Sequence, residues 1–289
     1  MEKEILECRQ AMTMILYMLE TDYNGAFELF AKYATHNSGK MRRTAGEEVG
    51  KSGQESYSKI HNFLHSLLGN DIVNIRWTIA IAYGELGRIN FQPIIADLKV
   101  LANDADWTVR ESVSGALATI HEYHPEMLVS LENWTTDTKE NVRRAVAESL
   151  GRGVGKKNPE LAFPILKKLS GDESVYVRKA VADSCRNMSR RYSDMVIENL
   201  SEWNESADVN TRWTVADGLR YIARKKTSEA IPLLLSVAKD SRRYVQGCVI
   251  SVLREAKKEN MDTICDIMNQ WLSYDDHNIQ HIAKEVLKF

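Results

Sequence analysis

Apolar residues recur along this chain at the three- and four-residue spacing of a helix face. Short polar turns containing Asp, Asn or Ser separate these segments, and several segments begin with a proline, at Pro93, Pro125 and Pro159. Proline is favoured at the first position of a helix, where its missing N–H would have no helical partner. The pattern predicts a chain of α-helices joined by short turns.

The helical segments form a repeat of about 34 residues. One position shows it clearly, because an arginine or glutamine returns there every 33 to 35 residues: Arg42, Arg76, Arg110, Arg143, Arg178, Arg212, Gln246 and Gln280. We call this set the leading row. Each unit contains two helical segments, so we expect a capping helix over residues 1–22 and eight helical hairpins over residues 23–289.

One hairpin cannot bury its own apolar face, but stacked hairpins can. The sequence therefore predicts an all-α fold, a right-handed α-solenoid of about eight hairpins, with the first helices on the convex face and the second helices on the concave face. The segment DESVYVRKAV at 172–181 resembles HEAT or HEAT-like repeats, and the resemblance extends over nearly the whole chain.

Composition narrows the class of protein. Apolar residues make up 44% of the 289 positions and there are 5 prolines and 15 glycines, which excludes a disordered chain and disfavours a turn-rich β-sandwich. The acidic start, MEKEILECRQ, does not resemble a signal peptide, and no stretch of about 18 uncharged apolar residues occurs. Together with four scattered cysteines, this predicts a cytoplasmic protein without a membrane partner.

Charge is divided unevenly along the chain, although the net charge is only −2. Residues 143–258 contain 23 Lys and Arg against 14 Asp and Glu, and the remainder contains 15 against 26. Many of the basic residues follow the repeat in three rows: Arg152, Arg186, Arg220 and Arg254; Lys156, Arg190, Arg224 and Lys258; Lys157, Arg191 and Lys225. These rows predict basic stripes across successive second helices.

The basic rows favour an anionic ligand. A solvated surface without a ligand is the alternative. The GRGVGKK segment at 151–157 lacks the spacing of a phosphate loop, so its glycines are expected to end a helix. The leading row is interpreted differently, because such arginines usually pair with an acid of a neighbouring repeat.

Acids and tryptophans accompany the basic rows on the second helices. Glu148, Asp183 and Asp217 stand five residues after their leading arginines, where each could bridge a neighbouring arginine or act as a catalytic carboxylate. Trp134, Trp203 and Trp271 are expected in the core. Trp107 and Trp213 could pack in the core or present flat faces to a base.

The region 104–235 resembles the alkylpurine DNA glycosylases of the AlkC and AlkD type, which are built from HEAT-like repeats. The resemblance rests on 106–110 (DWTVR), 124–126 (HPE), 141–144 (NVRR), 148–149 (ES) and 176–183 (YVRKAVAD). It implies that the basic rows form a surface that grips the backbone of double-stranded DNA. It also implies excision of cationic alkylated purines, with a carboxylate that stabilises the oxocarbenium-like sugar.

The resemblance also implies roles for individual residues. Asp106, Glu148 and Asp183 are candidate catalytic carboxylates, although Asp183 occupies a position where one branch of the family has an aromatic residue. Trp107 is the implied aromatic wall against the base, and Arg144 and Lys179 are implied contacts to a phosphate or to the site. Trp213 is a further candidate for binding the base, from its position at the start of a second helix. The W-D-x-x-D segment of the AlkD type is not reproduced, since Arg110 and Glu111 stand near the place of its second acid.

Other signals are weak. His61 and His65, and likewise His277 and His281, have i, i+4 spacing, but no third ligand accompanies either pair in sequence, so no metal site is expected. No dinucleotide or nucleophile motif occurs, so we expect no cofactor. Two functions remain: a DNA-binding repeat protein that removes alkylated purines, and a non-enzymatic scaffold that binds partner proteins.

Overall fold

The computed structural model of the protein describes residues 2–288, and within them the secondary structure is entirely helical. This confirms the predicted all-α fold. The chain divides into two compact units, Met1–Ser149 and Leu150–Phe289. The assignment of residues 1–289 to a single solenoid stays a prediction.

The first unit contains a leading helix followed by helical hairpins, α2 with α3, α4 with α5, α6 with α7, and α8 with α9. The bounds are α1 (Glu2–Thr21), α2 (Tyr23–Ala34), α3 (Gly39–Lys51), α4 (Tyr57–Ser66), α5 (Val73–Gly87), α6 (Ile95–Ala102), α7 (Trp107–His121), α8 (Leu128–Trp134) and α9 (Glu140–Arg152). Helix α9 ends just beyond the boundary between the units. Two helices per repeat were predicted, and the structure has them.

The second unit continues the pattern with α10 (Pro159–Leu169), α11 (Val175–Asn204), α12 (Val209–Gly218), α13 (Arg220–Lys225), α14 (Thr227–Ala238), α15 (Arg243–Glu259), α16 (Met261–Leu272) and α17 (His277–Leu287). Helix α11 contains the second helix of one repeat and the first helix of the next. The two parts meet at Tyr192, whose φ of −128° and ψ of 43° leave the helical region. A bend replaces the predicted turn here.

Within each unit the second helices pack against one another, α3 on α5, α5 on α7, α12 and α13 on α15, and α15 on α17. Helix α7 shows the sequence basis: Val109, Val113, Leu117 and Ile120 are fully buried and recur at the spacing of one helix face. The predicted core tryptophans Trp134, Trp203 and Trp271 are buried as well, which confirms that assignment.

Short polar side chains begin several helices. The Asp106 carboxylate accepts a hydrogen bond from the Thr108 backbone N–H, and Asp208 accepts one from Thr211. Ser174 accepts one from the Tyr176 N–H and thereby caps α11. These contacts satisfy N–H groups that have no helical partner.

The leading row has a structural role, as expected, but its main partner differs from the predicted acid. Seven of its residues donate to the backbone carbonyl six positions earlier, and six of these bonds measure 2.6–3.0 Å. Each one braces the turn before its own second helix, where helix-end carbonyls need donors. Arg76 and Arg212 also pair with acids of the next repeat, Asp104 and Asp240, at 2.6 and 3.0 Å.

Candidate nucleic-acid interface

In the second unit, one face of α11 is open to solvent and carries much of the candidate chemistry. Tyr176, Lys179, Asp183, Asn187 and Arg190 are exposed and follow one another at three- or four-residue spacing. The positions between them, such as Val177, Ala180 and Val181, are buried. This face is therefore where a ligand could contact α11.

The row of Arg186, Arg220 and Arg254 does not present free cations, which corrects their assignment to the DNA backbone. Arg186 Nη1 lies 2.7 Å from Asp217 Oδ2, and Arg220 Nη1 lies 2.6 Å from Glu255 Oε1. Arg254 Nη2 donates to the Glu285 carbonyl oxygen at 2.7 Å and lies 3.4 Å from that residue's carboxylate. Each arginine reaches into the following repeat, and this contact between repeats explains the equal spacing. We call the three arginines, with Asp217, Glu255 and Glu285, the clamp. Arg152, the fourth member, is partly buried at the end of α9.

The acids that accompany this row divide into two kinds. Asp217 is 5% exposed and holds both Arg186 and Arg220, the latter at 2.6 Å, which agrees with the structural interpretation of this acid. Asp183 is exposed and pairs with Arg186 one turn along the same helix. Asp183 remains accessible to a ligand, whereas Asp217 belongs to the clamp.

The other two rows lie at the ends of the second helices and are mixed. Glu259 pairs with both Arg224 and Lys225, so these two cations are neutralised within the protein. Lys156, Arg190, Arg191 and Lys258 are exposed, and across residues 2–288 no carboxylate lies within ion-pair distance of them. Lys157 is exposed too, and Lys179 is an exposed cation without an acidic partner in the same range.

Sequence reasoning missed Arg243, which begins α15 and is exposed without an acidic partner within the described chain. It falls outside the 34-residue rows, which explains the omission. Its position three residues before the leading residue Gln246 could have indicated it, because Trp107 stands in the same relation to Arg110. We use the name cationic set for Lys156, Lys179, Arg190, Arg191, Arg243 and Lys258.

In the first unit, Trp107 begins α7 and is 62% exposed. Asp106 immediately before it caps the helix, since its carboxylate accepts bonds from the Thr108 N–H at 2.8 Å and the Thr108 hydroxyl at 2.5 Å. These hydrogen bonds hold the pKa of Asp106 below its usual range. The Asp106 carboxylate is therefore ionised but committed to the helix terminus.

Glu148 on α9 is held more firmly than the other candidate acids of this unit. Its side chain is 16% exposed, lies 2.7 Å from Arg144 Nη2 and accepts a hydrogen bond of 2.9 Å from the Ser114 hydroxyl on α7. Ser114 is two turns, about 10 Å, beyond Trp107 along α7. Arg144, expected to contact substrate, is thus the ion-pair partner of Glu148.

Glu111 is a further acid on the open side of α7. It is exposed and stands four residues after Trp107, so the two side chains are neighbours on one helix face. The i, i+4 spacing was visible in the sequence, but Glu111 was considered only for its departure from the W-D-x-x-D pattern. Trp107, Glu111 and Glu148 together form what we call the α7–α9 cluster.

Trp213 is not available to stack on a base, which corrects the role expected for it. It is 8% exposed, and its ring stacks on Tyr244 with centroids 5.7 Å apart and planes at 14°. The Arg178 guanidinium lies 5.5 Å from the Trp213 ring centroid and donates to the Tyr244 hydroxyl. Trp213 therefore helps to join successive second helices.

The GRGVGKK segment ends a helix, as predicted, and it does more. Helix α9 stops at Arg152, and a short 3-10 turn spans Val154–Lys156. A Cβ on Gly151 would lie 2.7 Å from the Ser184 Cα, so glycine at position 151, inside the second unit, lets the backbone there lie close to α11. Lys156 and Lys157 follow on the surface.

The expectation that no third ligand accompanies His61 and His65 is wrong, because the fold brings Asp97 to both rings. Among residues 2–288 no acid or cysteine completes a comparable group with His277 and His281.

Within residues 2–288, no helix combines the length and the hydrophobicity needed to cross a bilayer.

These features define a helical-repeat protein with a partly cationic surface and an exposed tryptophan flanked by carboxylates. The family model described as "DNA alkylation repair enzyme" matches residues 38–222. That range is more than half of the chain, and the chain therefore belongs to this family. Membership confirms the resemblance that the motifs indicated.

One curated protein matches part of the chain. The uncharacterized protein YhaZ of Bacillus subtilis (strain 168) is 28% identical over 116 residues, which cover 37% of this chain and 32% of that protein. The matched region thus spans about a third of that relative's length.

Two solved structures share the fold. AlkD2 from Streptococcus mutans superimposes with a TM-score of 0.55 at 20% identity, covering 68% of this chain and 96% of that one. Pseudomonas fluorescens alkylpurine DNA glycosylase AlkC, bound to DNA containing an abasic site analog, gives 0.53 at 20% identity, covering 79% of this chain and 66% of that one.

Proposed function

We propose that this protein binds double-stranded DNA and excises cationic alkylated purines by cleaving their N-glycosidic bonds. The observation that carries the proposal is Trp107, a large aromatic side chain left 62% exposed at the start of α7 inside the region that matches the family. Its open indole face is available to stack on a flat base, and the positive charge of an alkylated purine would strengthen that contact.

The α7–α9 cluster suits this chemistry. The Trp107 ring can stack on the base and attract its positive charge. Carboxylates of Glu111 and Glu148 supply negative charge beside the sugar, where the oxocarbenium-like transition state develops positive charge. Glu148 is preorganised for this role, because Arg144 and Ser114 fix its position.

The second unit supports binding of the DNA backbone. Members of the cationic set are exposed and lack acidic partners within residues 2–288, so they can replace the counterions of phosphate groups. Arg186, Arg220 and Arg254 are left out of this role, since their charges are used between repeats.

The test is release of 7-methylguanine or 3-methyladenine from methylated duplex DNA under single-turnover conditions. We expect Trp107→Ala to slow release by about ten- to a hundredfold, the effect of losing one base-stacking contact. Glu148→Gln and Glu111→Gln should each slow base release by about a hundredfold or more, because each removes a carboxylate that stabilises the transition state.

Two variants of the first unit serve as matched controls. Tyr17→Ala removes a comparably exposed aromatic side chain on α1, and Glu28→Gln removes an exposed acid on α2. Both should retain the wild-type rate. Absence of release by the wild-type protein, or full activity of Trp107→Ala, would contradict the glycosylase proposal.

A further inference from the structure

A second cluster in the first unit, separate from the residues proposed to act on DNA, has the composition of a metal site. His61 and His65 lie one turn apart on α4, and Asp97 lies on α6 in the next repeat. Their nitrogen and oxygen ligand atoms all lie within 4.8 Å of one another. We propose that His61, His65 and Asp97 bind a divalent transition-metal ion of the Zn²⁺ class.

The distances suit tetrahedral coordination. His61 Nε2 lies 3.1 Å from Asp97 Oδ2, and His65 Nδ1 lies 3.0 Å from both carboxylate oxygens. Ligand atoms about 2.1 Å from a zinc ion at tetrahedral angles stand about 3.4 Å apart. Small side-chain shifts would therefore admit the ion between the three groups.

The donor set selects the kind of metal. Two imidazole nitrogens with one carboxylate suit zinc and its first-row neighbours, whereas Mg²⁺ and Ca²⁺ prefer oxygen ligands alone. Three protein ligands leave a fourth position for water. The His65 side chain is 62% exposed, so an ion can reach the site from solvent.

The surroundings of Asp97 resemble the support that metal ligands receive in proteins. Its side chain is only 7% exposed, and the buried Tyr83 hydroxyl donates a 2.7 Å hydrogen bond to Oδ2. Such outer hydrogen bonds orient ligating carboxylates and strengthen metal binding. The two imidazoles and the Tyr83 hydroxyl all lie within hydrogen-bond distance of the Asp97 carboxylate, and a bound cation would neutralise the negative charge of that carboxylate.

The consequence of binding would be a link between repeats. Helices α4 and α6 are the first helices of successive hairpins, and the three ligand side chains contact one another across them. A bound ion joins these helices and favours the folded state, because the unfolded chain does not assemble the three ligands.

The experiment measures metal binding by the full chain directly. Protein stripped with a chelator and dialysed against Zn²⁺ should retain one zinc per chain, and zinc should raise its melting temperature. Co²⁺ in place of zinc should give the visible absorption bands of a tetrahedral site. His65→Gln and Asp97→Asn should abolish stoichiometric binding, and Tyr83→Phe should weaken it by about ten- to a hundredfold.

His277→Gln/His281→Gln is the matched control, because it removes the other i, i+4 histidine pair, for which residues 2–288 provide no third ligand. It should bind zinc as the wild type does. Since His65 is exposed, its variant should fold normally, which circular dichroism can verify. Less than stoichiometric zinc on the wild type, or equal binding by His65→Gln, overturns the proposal.

Discussion

The position five residues after the leading arginine holds an acid in three successive repeats, and each acid has a different environment. Glu148 is fixed by Arg144 and Ser114, Asp183 is exposed beside Arg186, and Asp217 is buried between two arginines. Spacing alone places all three on equivalent helix faces. Their chemistry depends on the neighbouring repeat, which the spacing does not describe.

Asp217→Asn should reduce the free energy of unfolding by about 2 to 3 kcal/mol, because it leaves two largely buried guanidinium groups without their common counter-charge. Asp183→Asn is the matched control, with the same substitution one repeat earlier at an exposed site. It should cost less than about 1 kcal/mol. Urea denaturation of both variants measures the difference, and equal losses would contradict the clamp.

Asp106 should contribute to acid sensitivity. Its folded-state pKa is lowered by hydrogen bonds from Thr108, so its contribution to stability is present above the unfolded pKa of about 3.9 and disappears as the pH falls through the lower folded value. Asn also caps helices but carries no charge. Asp106→Asn should therefore lose less stability than wild type between pH 6 and pH 3, measured by urea denaturation at each pH. If the variant and the wild type lose the same free energy of unfolding between these pH values, Asp106 makes no such contribution.

At the scale of the helix, glycine sets how closely two elements approach. Gly151→Ala should destabilise the protein by about 1 to 3 kcal/mol, because the added methyl group would meet the Ser184 backbone, which cannot rotate away. Gly247→Ala is the control on α15, where a Cβ has open space, and it should be neutral or stabilise by up to about 1 kcal/mol. Thermal unfolding measures the stability of both variants. If Gly151→Ala is as stable as the wild type, the close approach of Gly151 to Ser184 is contradicted.

Most helices could be predicted from the sequence because their signals are local. The 34-residue period, the prolines and the polar caps each depend on a few neighbouring residues. The bend at Tyr192 could not be predicted in this way, since no proline or glycine marks it and α11 continues on both sides. The carbonyl partners of the leading row were also missed, because six-residue contacts across a turn depend on the folded turn itself.

At the scale of the whole molecule, the excess of positive charge in residues 143–258 was read correctly from the sequence, but the distribution of free charge was not. The rows predicted from the 34-residue spacing include both the arginines of the clamp and exposed cations, because both kinds of residue recur once per repeat. The acids that separate the two classes, such as Glu255 and Glu285, lie 31 to 35 residues away in the next repeat. Their pairing is visible only in three dimensions, as is that of Asp97 with the histidines.

The difference between exposed cations and cations already paired with acids predicts how DNA binding should respond to salt. Each phosphate contact by a free cation adds about one unit to the slope of log affinity against log salt, so Arg190→Gln/Arg191→Gln should flatten that slope by about two units. Arg220→Gln/Arg224→Gln removes equal charge from residues already paired with acids, and its slope should remain that of wild type. Fluorescence anisotropy with a labelled duplex between about 50 and 200 mM salt measures both, once circular dichroism shows each variant to be folded. Because both variants change the net charge equally, a general electrostatic effect would flatten the two slopes alike. That outcome would contradict a specific phosphate contact by the exposed pair at the end of the second helix.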